Sequence, residues 1–438
     1  MQRTVPTKTR HGGLLILLVS AALLSSHAAF AQFTQQGSKL VGAGAVGSPQ
    51  QGISVSLSAD GNTAIVGGLS DNSFFCGNTD IYCIGGAGAA WVWTRSGGVW
   101  AQQSNKLVGS GGSADAGQGF SVAISADGTT AIVGGPYDNG VGAVWVWTRS
   151  GGVWTQQGPK LVGSEAFGAF GSSVSLSADG NTAIVGAPRD GNFTGAAWVW
   201  TRSGGVWTQQ GNKLVGSGGL GAQQGVSVSL SADGNTAIVG GDFDNSFTGA
   251  AWVWTRSGGV WTQQGNKLVG SGTTGDVGAQ QGHSVSLSGD GNTAIVGGYG
   301  DDRGTGAAWV WTRSAEVWTQ QGNKLVGASA VSKADQGVSV SLSADGNTAI
   351  VGGYADSSET GAAWVWKRTE GLWTQQPTKL VGSGAVGSGL QGVSVAVSSD
   401  GTTALVGGYL DNNAAGAAWV FAAGADPVVP QRRRAARH

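Results

Sequence analysis

Residues 227–241 read SVSLSADGNTAIVGG and residues 250–269 read AAWVWTRSGGVWTQQGNKLV, and these two stretches decide the fold. Ser227 to Ser231 alternates serine with Val228 and Leu230, a period of two that matches a strand. Asp233-Gly234 is a hairpin signal, because glycine accepts the positive φ that a tight turn demands. Thr236 to Val239 reads as a second, largely apolar strand, stopped by Gly240-Gly241. Ala250 to Thr255 is a third, with Trp252 and Trp254 on one face and Val253 on the other. Ser257-Gly258-Gly259 turns the chain again into a fourth strand from Val260 to Val269. Nothing here has helical periodicity.

The same unit fills most of the chain. Ser-Ala-Asp-Gly or a close variant recurs seven times, with its aspartate at Asp60, Asp127, Asp179, Asp233, Asp290, Asp345 and Asp400. A four-strand unit repeated about every 55 residues is the signature of a propeller blade. The strand count also closes a ring. One fourth strand, Phe33 to Val41, precedes the first unit, and the last unit ends at Trp419-Val420-Phe421 without one. A spare strand at one end and a missing strand at the other predict that the N-terminal strand completes the last blade. An open array would leave two unpaired edges, which invite aggregation. The expected fold is therefore all-β, a closed seven-bladed β-propeller with four antiparallel strands per blade.

Residues 1–31 read as a cleaved secretory signal. Arg3, Lys8 and Arg10 precede the apolar run Leu14 to Leu24, and Ala29-Phe30-Ala31 supplies small residues for cleavage before Gln32. The expected address is secreted, periplasmic or cell-surface. The propeller is expected over 32–424, and 425–438 as a basic, disordered tail with Arg432, Arg433, Arg434 and Arg437. No later stretch is apolar and long enough to span a bilayer. Without the leader and tail the chain keeps 17 basic and 24 acidic side chains, a net charge of −7. That excludes nucleic acid as the expected partner, because phosphate binding needs a basic footprint. Cys76 and Cys83 lie in one loop, and an exported chain is expected to join them in a disulfide.

Phe170-Gly171-Ser172-Ser173-Val174 and the later Gly186-Ala187-Pro188 resemble the FG-GAP repeat, which builds the seven-bladed head of integrin α-subunits and many bacterial exported proteins. The resemblance covers residues 33 to 421, although most repeats here carry Gln-Gly for Phe-Gly and Gly-Gly for Gly-Ala-Pro. Trp207-Thr208-Gln209-Gln210 with Lys213-Leu214 resembles the bacterial exported subgroup most closely. Calcium-binding members of the family carry several acidic residues between strands one and two. Here that turn is Asp-Gly-Asn-Thr, with one carboxylate, whereas calcium takes six to eight oxygens. No metal site is carried over and no cofactor is expected, calcium being the one ion left open elsewhere.

All nineteen tryptophans occupy two repeat positions, thirteen in the third strand and six opening the fourth. Packing between blades is favoured over a sugar-stacking role. The six arginines beside the three–four turn, such as Arg202 and Arg256, are expected to pair loosely with the Asp-Gly turns. Strand direction sorts the loops onto two faces. The turns between strands one and two and between three and four are nearly identical in every repeat, whereas the other loops diverge and share the opposite face. Divergent loops on one face are free to make a binding surface. One aspartate recurs three residues past the double-glycine position on that face: Asp71, Asp138, Asp190, Asp244, Asp301, Asp356 and Asp411. Each reads either as an Asx-turn residue or as a ligand contact, and Asp242 and Asp302 make the densest acidic spots.

Catalysis has little support. His283 is the one histidine within the propeller, and no Ser-His-Asp order or zinc-ligand cluster appears. The expected function is a non-catalytic binding or adhesion module that engages an extracellular protein or glycan through the variable acidic face. A purely structural surface protein is the first alternative, and an extracellular glycan hydrolase or lectin the second.

Overall fold

Seven antiparallel four-stranded sheets follow one another around a ring in the computed structural model, which describes residues 32–73, 86–219, 221–275, 278–331 and 333–424. The leader, the Cys76–Cys83 pairing and the basic tail lie outside the described residues. In the fourth blade the strands are Ser227–Leu230, Thr236–Gly241, Ala250–Ser257 and Val260–Gln263, ordered from the channel outward. The last blade takes Ser394–Val397, Thr403–Gly408 and Ala417–Ala423, then adds Phe33–Gln35 as its outer strand. Phe33 pairs with Ala423 and Gln35 with Phe421, so the ring is closed by the N-terminal strand. No helix among the described residues is long and apolar enough to cross a membrane.

The fourth strand is shorter than its sequence pattern. It stops at Gln263, Gly265 turns at φ +69°, and Leu268 then rejoins the third strand by a single bridge to Ala251. Two circles of hydrogen bonds stitch the blades at opposite faces. On the Asp-Gly face Ala59 N donates to Ala126 O, and the series runs blade to blade until Ser399 N donates to Ala59 O. Near the other face Ser54 Oγ donates to Gly119 O, and that series ends with Ser394 Oγ on Gly52 O.

The cores lie between blades. Ile184, Ala197 and Val199 of the third blade pack on Val239 and Trp252 of the fourth. The first tryptophan of each third strand is wholly buried, and its indole N–H donates to a loop carbonyl, as Trp252 does to Ser217 O at 2.9 Å. A glycine must face that ring: a Cβ on Gly216 would lie 2.2 Å from Trp252 Cδ1. The outer-strand tryptophans donate to the glutamine of the neighbouring blade, as Trp261 Nε1 does to Gln210 Oε1 at 3.1 Å. At these two positions the buried ring has a satisfied N–H, as packed sheets favour, whereas Nε1 of Trp93, Trp147, Trp200, Trp254 and Trp311 is buried without a hydrogen bond among the described residues.

The arginines depart from expectation. Arg256 Nε donates to Asn235 Oδ1 at 2.9 Å, its Nη1 donates to Gln210, and its guanidinium stacks over Trp261. Among the described residues none of the six forms an ion pair with a turn aspartate. Asparagine takes the arginine because the carboxylate is already occupied. Asp233 Oδ1 accepts Ser231 Oγ and Asn235 N, and its Oδ2 accepts Asn235 Nδ2. Partial burial pushes the Asp233 carboxyl up, but these hydrogen bonds and Arg256 together outweigh it and hold it below the ordinary value. Burial likewise opposes and hydrogen bonds lower the other six turn aspartates, with an arginine assisting at Asp60, Asp179 and Asp290 and Lys367 at Asp345. With its oxygens so committed, the turn does not fit a calcium ion.

Candidate functional site at the channel mouth

The recurrent aspartates of the divergent face are buried. Each forms an ion pair with the lysine that follows its own blade's outer strand: Asp71 with Lys106, Asp138 with Lys160, Asp190 with Lys213, Asp244 with Lys267, Asp301 with Lys324, Asp356 with Lys379, and Asp411 with Lys39. Lys213 Nζ lies 2.6 Å from Asp190 Oδ2. The other oxygen accepts a backbone N–H from the preceding four–one loop in six blades, as Val386 N donates to Asp411 Oδ1. The carboxylate therefore ties three segments together, and its charge is balanced on the spot. These seven residues are latches that hold the loops, with little of their surface open to a ligand.

The loops they hold are strained. In blades three to seven a single turn follows the latch, for example Asp244–Phe247 and Asp356–Glu359. Apart from Gly191 and Gly304, its residues are left-handed without being glycine: Asn245 at φ 49°, ψ 58°, Ser246 at φ 55°, ψ 54°, and Phe247 at φ 70°. Such a conformation costs an L-residue roughly 1–2 kcal/mol. Asp302 sits in the equivalent turn at φ 48°, exposed at the surface.

Two positions per blade face the axis. The residues ahead of the inner strands, Ile53, Phe120, Ser172, Val226, His283 and Val393 among them, line the central channel at its divergent end. The residue after the double-glycine position stands beside them at the rim: Leu69, Pro136, Pro188, Asp242, Tyr299, Tyr354 and Tyr409. The chemistry gathers on one side of the ring. Asp242 Oδ2 lies 2.8 Å from His283 Nδ1, and the carboxylate fixes that nitrogen as a donor. Asp242 is 3% exposed, and its other oxygen is buried without a partner. The His283 ring meets Tyr299 edge to face at 4.6 Å between centroids. Gln280 Nε2 donates to the Tyr299 hydroxyl at 2.7 Å.

Tyr299, Tyr354 and Tyr409 line one cavity of about 430 Å³ together with His283 and Glu359. Burial pushes the Tyr299 phenol up, and nearby Asp242 and Asp335 add to the rise. Burial also raises Tyr354 well above the ordinary tyrosine value, with Asp335 and the neighbouring tyrosines reinforcing it. All of these favour the neutral phenol. Asp335 is held above the usual carboxylate range by burial, partly offset by its hydrogen bond with Tyr354 and by Lys333. A second cavity, about 390 Å³, lies under Tyr137, Phe167, Arg189 and Phe193.

Of the sequence-derived candidates, Asp242 alone belongs to this cluster, as the partner of His283. The three tyrosines were not singled out in the sequence, although their position holds four residue types in seven blades: Leu69, Pro136 and Pro188, Asp242, and the tyrosines. Among the described residues no group of three or more His, Cys, Asp or Glu side chains is disposed to hold a metal ion. No family model matches the chain, and no curated protein matches it.

Proposed function

We propose that the chain is an exported, non-catalytic binding module that takes its ligand at the divergent mouth of the central channel. One observation carries this reading. The repeat keeps its strands and the turns of one face nearly constant and diverges on the other face, and at the channel mouth on that face aromatic rings, a carboxylate–histidine pair and a cavity of about 430 Å³ come together. The proposed partner is an extracellular glycan or protein, bound without a cofactor. We also place the chain with the FG-GAP propellers. Phe170 supports this, because it occupies the bridge position that Gln224 or Gln281 holds in other blades.

The test is a glycan and extracellular-matrix array probed with the full chain, with calcium and with chelator. A saturable ligand lost in the Tyr299→Leu/Tyr409→Leu double variant, and indifferent to chelator, is the expected result. Capture that survives the double substitution places function away from the mouth and overturns the reading. A hydrolase reading draws on the Asp242–His283 pair, which orients an imidazole as a general base requires. Among the described residues, however, no hydrogen bond joins His283 to a hydroxyl or a thiol nucleophile, and binding remains the better-supported function.

A further inference from the structure

The mouth cavity has walls of a particular kind. Three tyrosine rings come from consecutive blades, and the aliphatic side chains of Val338, Leu390, Val393 and Leu410 complete the surround. The one carboxylate in its lining is Glu359, at the end of the strained turn of the sixth blade. Two further carboxylates, Asp242 and Asp335, act on the Tyr299 phenol from behind. Lys333 offsets one of them. The lysines nearest in sequence to these loops, Lys324 and Lys379, are committed to their latches. The cavity thus combines aromatic and aliphatic walls with the polar groups of Glu359, His283 and the tyrosines, and Asp242 and Asp335 lie near it.

We propose that this cavity binds a trimethylammonium group. The inference rests on the channel mouth being the binding site and adds the chemical class of what binds there. A quaternary ammonium carries a positive charge on a hydrocarbon surface and makes no hydrogen bonds. Rings whose faces are negative attract it, and aliphatic walls cost it little. A primary ammonium would need about three acceptors at hydrogen-bond distance in place of its water, and Glu359 is the one carboxylate that lines the cavity.

Trimethylammonium reaches an exported protein from two sources, as a free solute or as the headgroup of a phosphocholine surface, and the experiment separates them. The full chain is titrated calorimetrically with choline, with its neutral isostere 3,3-dimethylbutan-1-ol, and with butylammonium. Choline is expected to saturate and to bind about tenfold more tightly than the alcohol. Tyr409→Leu, which keeps the apolar volume, should lose about tenfold in choline affinity, and Glu359→Gln about threefold. Unchanged urea midpoints exclude unfolding as the cause. Co-sedimentation with phosphatidylcholine vesicles, competed by choline, assigns the headgroup source, and its absence assigns the free solute. Equal affinity for choline and the alcohol overturns the inference, as does tighter binding of butylammonium or no saturation by choline at tens of millimolar. Those outcomes leave the mouth as a binding site, because that reading falls only if array ligands survive the tyrosine substitutions.

Discussion

Lys379→Met tests the latches most directly. Asp356 is wholly buried, and its carboxylate accepts Val331 N at 2.7 Å and Ser357 Oγ at 2.9 Å besides Lys379 Nζ. Methionine keeps the stem that carries the ammonium to 6.0 Å above the Trp364 ring, so little packing is lost. The carboxylate then stays buried with two neutral donors and no counter-charge, which costs about 3–5 kcal/mol. Asp356→Asn is milder. Lys379 keeps 18% of its side chain exposed and can turn to water, and the amide still accepts from Val331, so the loss is about 2 kcal/mol. The double variant should cost no more than Asp356→Asn alone, leaving the two effects about 3–5 kcal/mol short of additive. Urea unfolding measures all three, and the coupling should persist in high salt because the pair is shielded from screening ions. If Lys379→Met costs under about 0.5 kcal/mol, or the two effects add, the lysine does not hold the carboxylate. The aspartate ring would then be available to a ligand after all.

Three further outcomes follow from the geometry. The Asp-Gly turn carboxyls are held below the ordinary value of 3.8, so their stabilisation is complete above that pH and is lost as pH falls through the lowered values. The urea midpoint should therefore drop on acidification from about pH 5, and Asp233→Asn should flatten that dependence. Ser358→Gly, at φ 56°, should raise the urea midpoint by about 0.5–1 kcal/mol of stability, because glycine adopts the left-handed region freely. Gly216→Ala should lose about 1–3 kcal/mol, because the added methyl drives into the Trp252 ring, and near-ultraviolet circular dichroism should report the displaced indole.

The fold was legible because its signals are local. Asp233-Gly234, the Gly240-Gly241 stop and the Trp252-Val253-Trp254 ladder each fix a strand end or a face within a few residues. Ring closure was legible from counting, since a strand at Phe33 had no blade of its own. The roles of the acidic residues were not. Asp244 meets its lysine 23 positions on, Asp71 meets its own 35 on, and Asp411 reaches back 372 to Lys39. Asp242 and His283 lie 41 apart on different blades. Seen in sequence, each aspartate reads as an Asx-turn residue or a ligand contact, and the backbone N–H it accepts suits the first reading, but nothing nearby in the chain names its lysine. Only the ring places it beneath a lysine. The tyrosines were hidden for the converse reason: Tyr299, Tyr354 and Tyr409 are spaced one repeat apart, so each looks like an isolated aromatic until consecutive blades bring them to one cavity.

The two faces of the ring solve the same backbone problem in different ways. On the Asp-Gly face glycine supplies the positive φ of every one–two turn, from Gly61 at +63° to Gly401 at +68°, and most of those in the three–four turns, where Ala315, Glu316 and Glu370 are the exceptions. On the divergent face the same region of φ is occupied by Asn245, Arg303, Glu359 and even Phe247. Glycine would relieve that face as it does the other, so side chains there are retained against a conformational cost. A buried ion pair per blade holds those turns in place, itself a costly device unless it must fix a geometry. A ring built only for stability has no reason to concentrate strain, buried charge and sequence divergence on one rim. A ring that must present particular side chains around its channel does, because pre-set side chains give up less freedom when a ligand arrives.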